Sequence, residues 1–321
     1  MIKIPAAPRS SVSSSLRQCL RVAATIAFLA TATGAPAQEY KTPEEAVAAL
    51  IVAAKAADRP ALMRVLGPGS AEIVSSGDEV ADASARKRVI EAYDTKHRVV
   101  LEGADKAVLI IGNEDWPFPI PLALKNGTWR FDTAAGRDEI LFRRIGRNEL
   151  NAIQASLAYV DAQHEYAEKA IGGNGVYAQR IVSQPGKKDG LYWPTQPGED
   201  ESPLGDLAAA ASAAGYRAGQ QRAPYHGYYF KILTRQGPNA PGGAIDYIAR
   251  GKMIGGFALV AYPAEYRNSG AMTFLVNHQG VLYQKDLGPN TSGIASGMTA
   301  FNPDSTWERV TEADQAGTGS R

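Results

Sequence analysis

An α+β fold is predicted by three features of the chain. Amphipathic helical stretches come early, one long helical run occupies the middle, and short apolar strands punctuated by glycine and proline fill the later part. Helices that lead into antiparallel strands, rather than alternating with them, give an α+β arrangement. The 321 residues, 45% hydrophobic and 21% charged, are enough for about two domains with real cores.

The first residues read as an export leader. Lys3, Arg9, Arg17 and Arg21 stand without an acid, VAATIAFLATATGA supplies an apolar run, and Ala35-Pro36-Ala37 offers small residues for cleavage after Ala37. The run is short and rich in Thr and Gly, which disfavours a membrane anchor. Cys19 precedes the apolar run, so it is misplaced for a lipoprotein. The expected organisation is therefore a leader at 1–37, an α+β domain at 38–145, a second at 146–310, and a polar disordered tail at 311–321. A periplasmic or secreted protein follows, with no integral membrane segment once the leader is gone.

Removing the leader takes 4 of the 34 bases and none of the 33 acids, leaving 30 against 33 and a net charge near −3. Phosphate neutralisation on that scale does not support a nucleic-acid partner. It also takes the one cysteine, and with it disulfides, thiolate nucleophiles and cysteine metal sites.

In TPEEAVAALIVAAKAAD, Thr42 is placed as an N-cap, Pro43 as the first helical residue and Glu45 as the far side of a capping box. Asp58 and Pro60 open a second helix through Leu62, Val65 and Leu66, which Gly67-Pro68-Gly69 ends. ARKRVIEAYDTK gives a third, and HRVVLEG and KAVLIIG read as strands. WPFPIP at Trp116 reads as a proline-stiffened edge strand with a structural tryptophan rather than a ligand platform. Asn126-Gly127, between Leu122, Leu124 and Trp129, Phe131, is a strong hairpin signal.

The run from Gly136 to Ala170 carries Ile140, Leu141, Ile145, Leu150, Ile153, Leu157 and Val160 at helical spacing, with Gly146 as a possible break. After it comes a long ordered surface loop, with Tyr192 and Trp193 packed down and PGEDESP exposed. From Ala223 the strands PYHGYYFKILTRQ, AIDYIARGK, MIGGFALVAYP, GAMTFLVNHQG and VLYQKDLG predict an antiparallel meander. Asn277 to Gly280 turn its last hairpin.

Three resemblances follow from these residues. The order of helices and strands ending in W-x-F resembles the cone-shaped domains of the nuclear-transport-factor-two-like superfamily, whose mouths often hold a ligand. NELNAIQASLAYVDAQHEYA, with GFALVAYPAEY and SGAMTFLVNHQGVLY, resembles the helix and closing strands of type IV pilin and pseudopilin headgroups. That likeness covers Gly146 to Gly288 and lacks the apolar half-helix through which pilins assemble. DWPFPIP, WRFDTAAGRDEI, RIGRNEL, DGLYWP and PYHGYYFKILT together closely resemble a bacterial family of exported proteins, a domain of unknown function numbered 2950. The resemblance implies export and this two-part architecture, and no activity.

Catalytic signatures are missing from the sequence. No G-x-S-x-G occurs, no S-x-x-K of the penicillin-binding type is seen, and GIASG has the wrong spacing for a serine elbow. His164-Glu165 lacks the second histidine of H-E-x-x-H. Gly173, Gly175 and Ala178 match G-x-G-x-x-A but follow a helix, against the strand that a dinucleotide site needs. No acid falls between Gly172 and Gly186, so this stretch is not a calcium loop of the acidic type. No metal or other cofactor is expected. Trp193, Tyr225, His226 and Tyr228 are the candidate ligand-binding residues, because an aromatic cleft with one titratable group can bind sugars or peptides. Alternate aromatics filling a strand's core face is the blander reading of the same residues. The expected role is a binding or scaffolding module, whose partner could be another envelope protein adding a strand to a sheet edge. The alternative is an envelope hydrolase using His226 with a nearby carboxylate.

Overall fold

The computed structural model describes residues 37–196, 198–217 and 223–311. The predicted leader up to Pro36 and the predicted tail from Glu312 lie outside the described residues. All described residues belong to one compact unit, built around two hydrophobic clusters.

The first cluster follows the predicted elements closely. Helix α1 (Pro43–Lys55) is capped by Thr42, whose side chain accepts from the Glu45 amide at 3.2 Å. Glu45 accepts in return from the Lys41 amide at 3.0 Å, one residue ahead of the usual capping-box partner. Helix α2 (Arg59–Leu66) starts at the Asp58 cap and stops at Gly67, whose φ of 81° suits glycine. A single turn, α3 (Ala71–Val74), precedes α4 (Glu79–Thr95). The latter starts ahead of the predicted Ala85, because Asp78 caps it by accepting from the Ala81 amide at 3.0 Å.

Strands β1 (His97–Leu101), β2 (Lys106–Ile111), β3 (Trp116–Pro117), β4 (Leu122–Lys125) and β5 (Thr128–Phe131) form an antiparallel sheet. The order is β1-β2-β4-β5, with the short β3 also paired to β2. Asn126 and Gly127 both take positive φ, 55° and 81°, which matches the twist of a two-residue hairpin.

Helix α5 (Thr133–Glu168) then runs for 36 residues, helical straight through Gly146. Ile140 packs on the first cluster, while Ile153, Tyr159 and Val160 belong to the second. Leu157 is half-buried against that second cluster. Much of the buried stripe is small or polar: Ala152, Ala155, Ser156, Ala162 and Gln163. Helix α6 (Gly205–Ala213) falls where only loop is predicted, in an alanine run with high helix propensity but no periodicity.

The later strands are β6 (Tyr228–Leu233), β7 (Arg235–Gln236), β8 (Ile245–Asp246), β9 (Ile248–Ala249), β10 (Lys252–Met253), β11 (Ala258–Pro263), β12 (Met272–Asn277) and β13 (Leu282–Asp286). Helix α7 (Thr291–Gly297), β14 (Ala300–Phe301) and β15 (Glu308–Arg309) complete the described chain. The main sheet has the order β15-β13-β12-β11-β6, antiparallel throughout. Strands β7 to β10 leave that sheet. Strands β7 and β8 join β14, which lies parallel to β7, and β9 pairs with β10. AIDYIARGK thus adds no strand to the meander, since its two-residue strands are cut by turns.

Ala258 to Ala261 are each at most 1% exposed. Successive strand residues point to opposite faces, so both faces of β11 are covered. Helices α5 and α7 and strand β14 pack on this strand. No helix among the described residues is long and apolar enough to cross a membrane.

Candidate functional site

A cavity of about 900 Å³ lies between α4, α5 and the first sheet. Its position follows from α4, which has no fully buried residue. Leu50, Leu62, Ile73, Val89, Ile111 and Phe118 give the cavity an apolar wall, and Tyr216 and His226 reach it from the later half of the chain. Volume and lining fall in the range of small-molecule sites.

Asp78 ties the two halves together at the edge of this cavity. Its side chain is 1% exposed. Oδ1 caps α4, while Oδ2 accepts from the Tyr216 hydroxyl and the Gly227 amide, both at 2.8 Å. The Tyr216 oxygen in turn accepts from the His226 amide at 3.1 Å. Burial, then the Asp78 charge, raises the Tyr216 phenol well above its ordinary value. Gly227 has a φ of 76°, and a Cβ there would stand 2.6 Å from Asn148 Nδ2, so glycine is required twice over.

His226 does not sit in a strand. With Gly227 it forms the two-residue tip of a hairpin, both with positive φ, between Tyr225 and Tyr228, which exchange main-chain bonds of 2.8 and 3.1 Å. Its ring packs against Tyr225 at 4.3 Å and Tyr216 at 5.4 Å. Burial holds its pKa below the ordinary histidine value; Asp78 opposes this and Arg147 reinforces it.

The four residues picked from the sequence divide accordingly. His226 lines the cavity and Tyr225 packs behind it. Tyr228 is fully buried, its hydroxyl donating to the Met272 carbonyl at 2.9 Å. Trp193 is buried in the second cluster with Lys188 Nζ 5.3 Å above its ring, and does not line the cavity. Trp116, read as a structural edge residue, does line it.

The arginines of α4 and α5 were not singled out from the sequence. Arg144 donates to the Glu72 carbonyl at 2.6 Å, to the Ile73 carbonyl at 2.7 Å and to Asn268 Oδ1, fastening α3 and the 264–270 loop to α5. Burial lowers its pKa from the usual guanidinium value. Arg147, one turn on, is lowered first by burial and then by the like charge of Arg88. RIGRNEL carried the signal, since arginines three apart share a helix face. What they face was not legible.

Asp82, also on the cavity wall, accepts from the Ser76 amide and hydroxyl, and burial raises its pKa. Among the described residues no group of three or more His, Cys, Asp or Glu is placed to hold a metal ion. The arrangement offers an apolar chamber with arginines in its lining.

No curated protein matches the chain. No solved structure matches it either, so the likenesses to pilin headgroups and to cone-shaped domains gain no support from comparison. A family model covering residues 37–310 does match, and the chain belongs to the family described as Protein of unknown function (DUF2950).

Proposed function

We propose that the protein is an exported binding module of the cell envelope, and that the cavity beneath α4 is its ligand site. One observation carries the ligand site: about 900 Å³ of space with an apolar wall, lined also by Tyr216, His226 and a set of arginines. A closed core would have filled that space with side chains. Export rests on the basic and apolar character of the leader and its Ala35-Pro36-Ala37 site, with a periplasmic or secreted location following.

Two measurements test these statements. Mass spectrometry of the protein recovered from the periplasm or medium of an expressing bacterium should find Gln38 as the first residue; an intact chain retained in the cytosol would remove the export reading. The neutral dye Nile red should bind the purified protein with one site. Val89→Trp, which puts an indole into the chamber, should abolish that binding with the far-ultraviolet spectrum unchanged. Equal dye binding by both proteins would remove the ligand site.

A further inference from the structure

We propose that the cavity takes a single-chain amphiphile with an anionic head, a carboxylate or a phosphate monoester. Arg88 and Arg147 hold the head, and the tail lies over Leu62, Ile73, Val89 and Phe118. The proposal rests on the cavity being the ligand site and adds the chemical class of its occupant.

The two arginines come from different helices and line the same cavity, and after burial the like charge of Arg88 further lowers the pKa of Arg147. Like charges lining one cavity repel, and an anion between them reverses the sign of that interaction. Neighbouring guanidinium groups are already engaged. Arg137 pairs with Glu72, Arg143 with Glu139 at 2.6 Å, and Arg144 bonds two carbonyls and Asn268. Among the described residues Arg88 and Arg147 make no ion pair, and Arg88 reaches only the Ser84 hydroxyl, at 2.8 Å.

The charge balance of the wall points the same way. Arg86, Arg88, Arg143, Arg144 and Arg147 line it against the acids Asp82 and Glu114. Asp82 is already taken by Ser76 and held near Arg144. A polar ligand such as a sugar would leave the aliphatic floor in contact with hydroxyl groups. An apolar ligand without a head would leave the arginine pair unmatched. A charged head on an apolar chain satisfies both walls at once.

The test is displacement of Nile red from the purified protein by laurate, dodecyl phosphate, dodecanol, acetate and inorganic phosphate. Laurate or dodecyl phosphate should displace the dye about tenfold more tightly than dodecanol, the size of one charge-assisted bond. The better of the two names the head. Acetate and inorganic phosphate should not displace it. Arg88→Gln and Arg147→Gln should each weaken the anionic amphiphile about tenfold relative to dodecanol measured on the same variant. Independently of any variant, raising the salt from low to high concentration should weaken laurate and leave Nile red unaffected. Dodecanol binding as tightly as laurate, with no salt effect, would overturn the anionic head and leave the cavity reading standing. Failure of Nile red itself to bind would take both down.

Discussion

The Tyr216 hydroxyl donates to Asp78 Oδ2 at 2.8 Å across 138 residues of chain. The same oxygen accepts from the Gly227 amide, and its partner oxygen caps α4. One carboxylate thereby fixes the start of the helix that roofs the cavity to the hairpin that carries His226.

Replacing Asp78 by Ala should therefore cost more than a cap alone. A lost cap costs about 1 kcal/mol, and leaving the buried Gly227 amide and Tyr216 hydroxyl unpaired adds about 1–3 kcal/mol. Urea unfolding should show a total loss of about 3 kcal/mol, against about 1 kcal/mol for Tyr216→Phe. A loss below that of Tyr216→Phe would mean that the carboxylate is dispensable.

Acid should weaken the fold through His226. Burial lowers its pKa in the folded protein, so the unfolded chain takes up the proton first as the pH falls through about 6.5. Its contribution is full near pH 7.5 and is lost as the pH drops through that window toward the folded value. His278 carries a shift of the same sign, from burial and then from the His164 charge. The gap between urea midpoints at pH 7.5 and 5.5 should shrink in His226→Asn, a residue that also tolerates positive φ, with the His278 part remaining. A pH dependence identical to that of the parent protein would remove His226 from the account.

Arg144 is needed for its shape as well as its charge. Its fork reaches two carbonyls and Asn268, and Arg144→Ala should destabilise by about 2–4 kcal/mol. Arg144→Lys keeps the charge without the planar fork and should recover less than half of the loss. Full recovery by lysine would show that charge alone suffices.

Gly136 reverses a general expectation. Alanine for glycine inside a helix ordinarily gains about 1 kcal/mol. Here a Cβ would stand 2.2 Å from the Pro119 carbonyl oxygen, a main-chain atom. Gly136→Ala should lower the melting temperature, by about 4 °C or more. A rise would mean that the 118–121 segment yields freely.

Local features of the fold were open to sequence reading because their causes are local. The Thr42 and Asp58 caps, the Asn126-Gly127 hairpin and the Gly280 turn each depend on residues within a few positions of one another, and each forms as expected. Helix α5 was legible from its periodicity, yet its polar anchors were not. Gln163, fully buried, bonds both main-chain groups of Ala178 at 2.8 Å, and Glu149 accepts from the Ala271 and Met272 amides at 3.0 Å. Nothing in a helical pattern says which polar residue will meet a distant backbone.

By itself the sequence determined the α+β class, most element positions and the family, because periodicity, caps and turn residues act over short stretches. Tertiary structure alone decided that Arg88 on α4, Arg147 on α5 and His226 on a hairpin tip share one cavity. It also sent Tyr228 and Trp193 into the core, although they look alike in the sequence to the residues that line the cavity. Closeness between segments far apart in the chain is fixed by packing and long-range hydrogen bonds such as that from Tyr216 to Asp78. No local pattern encodes that distance.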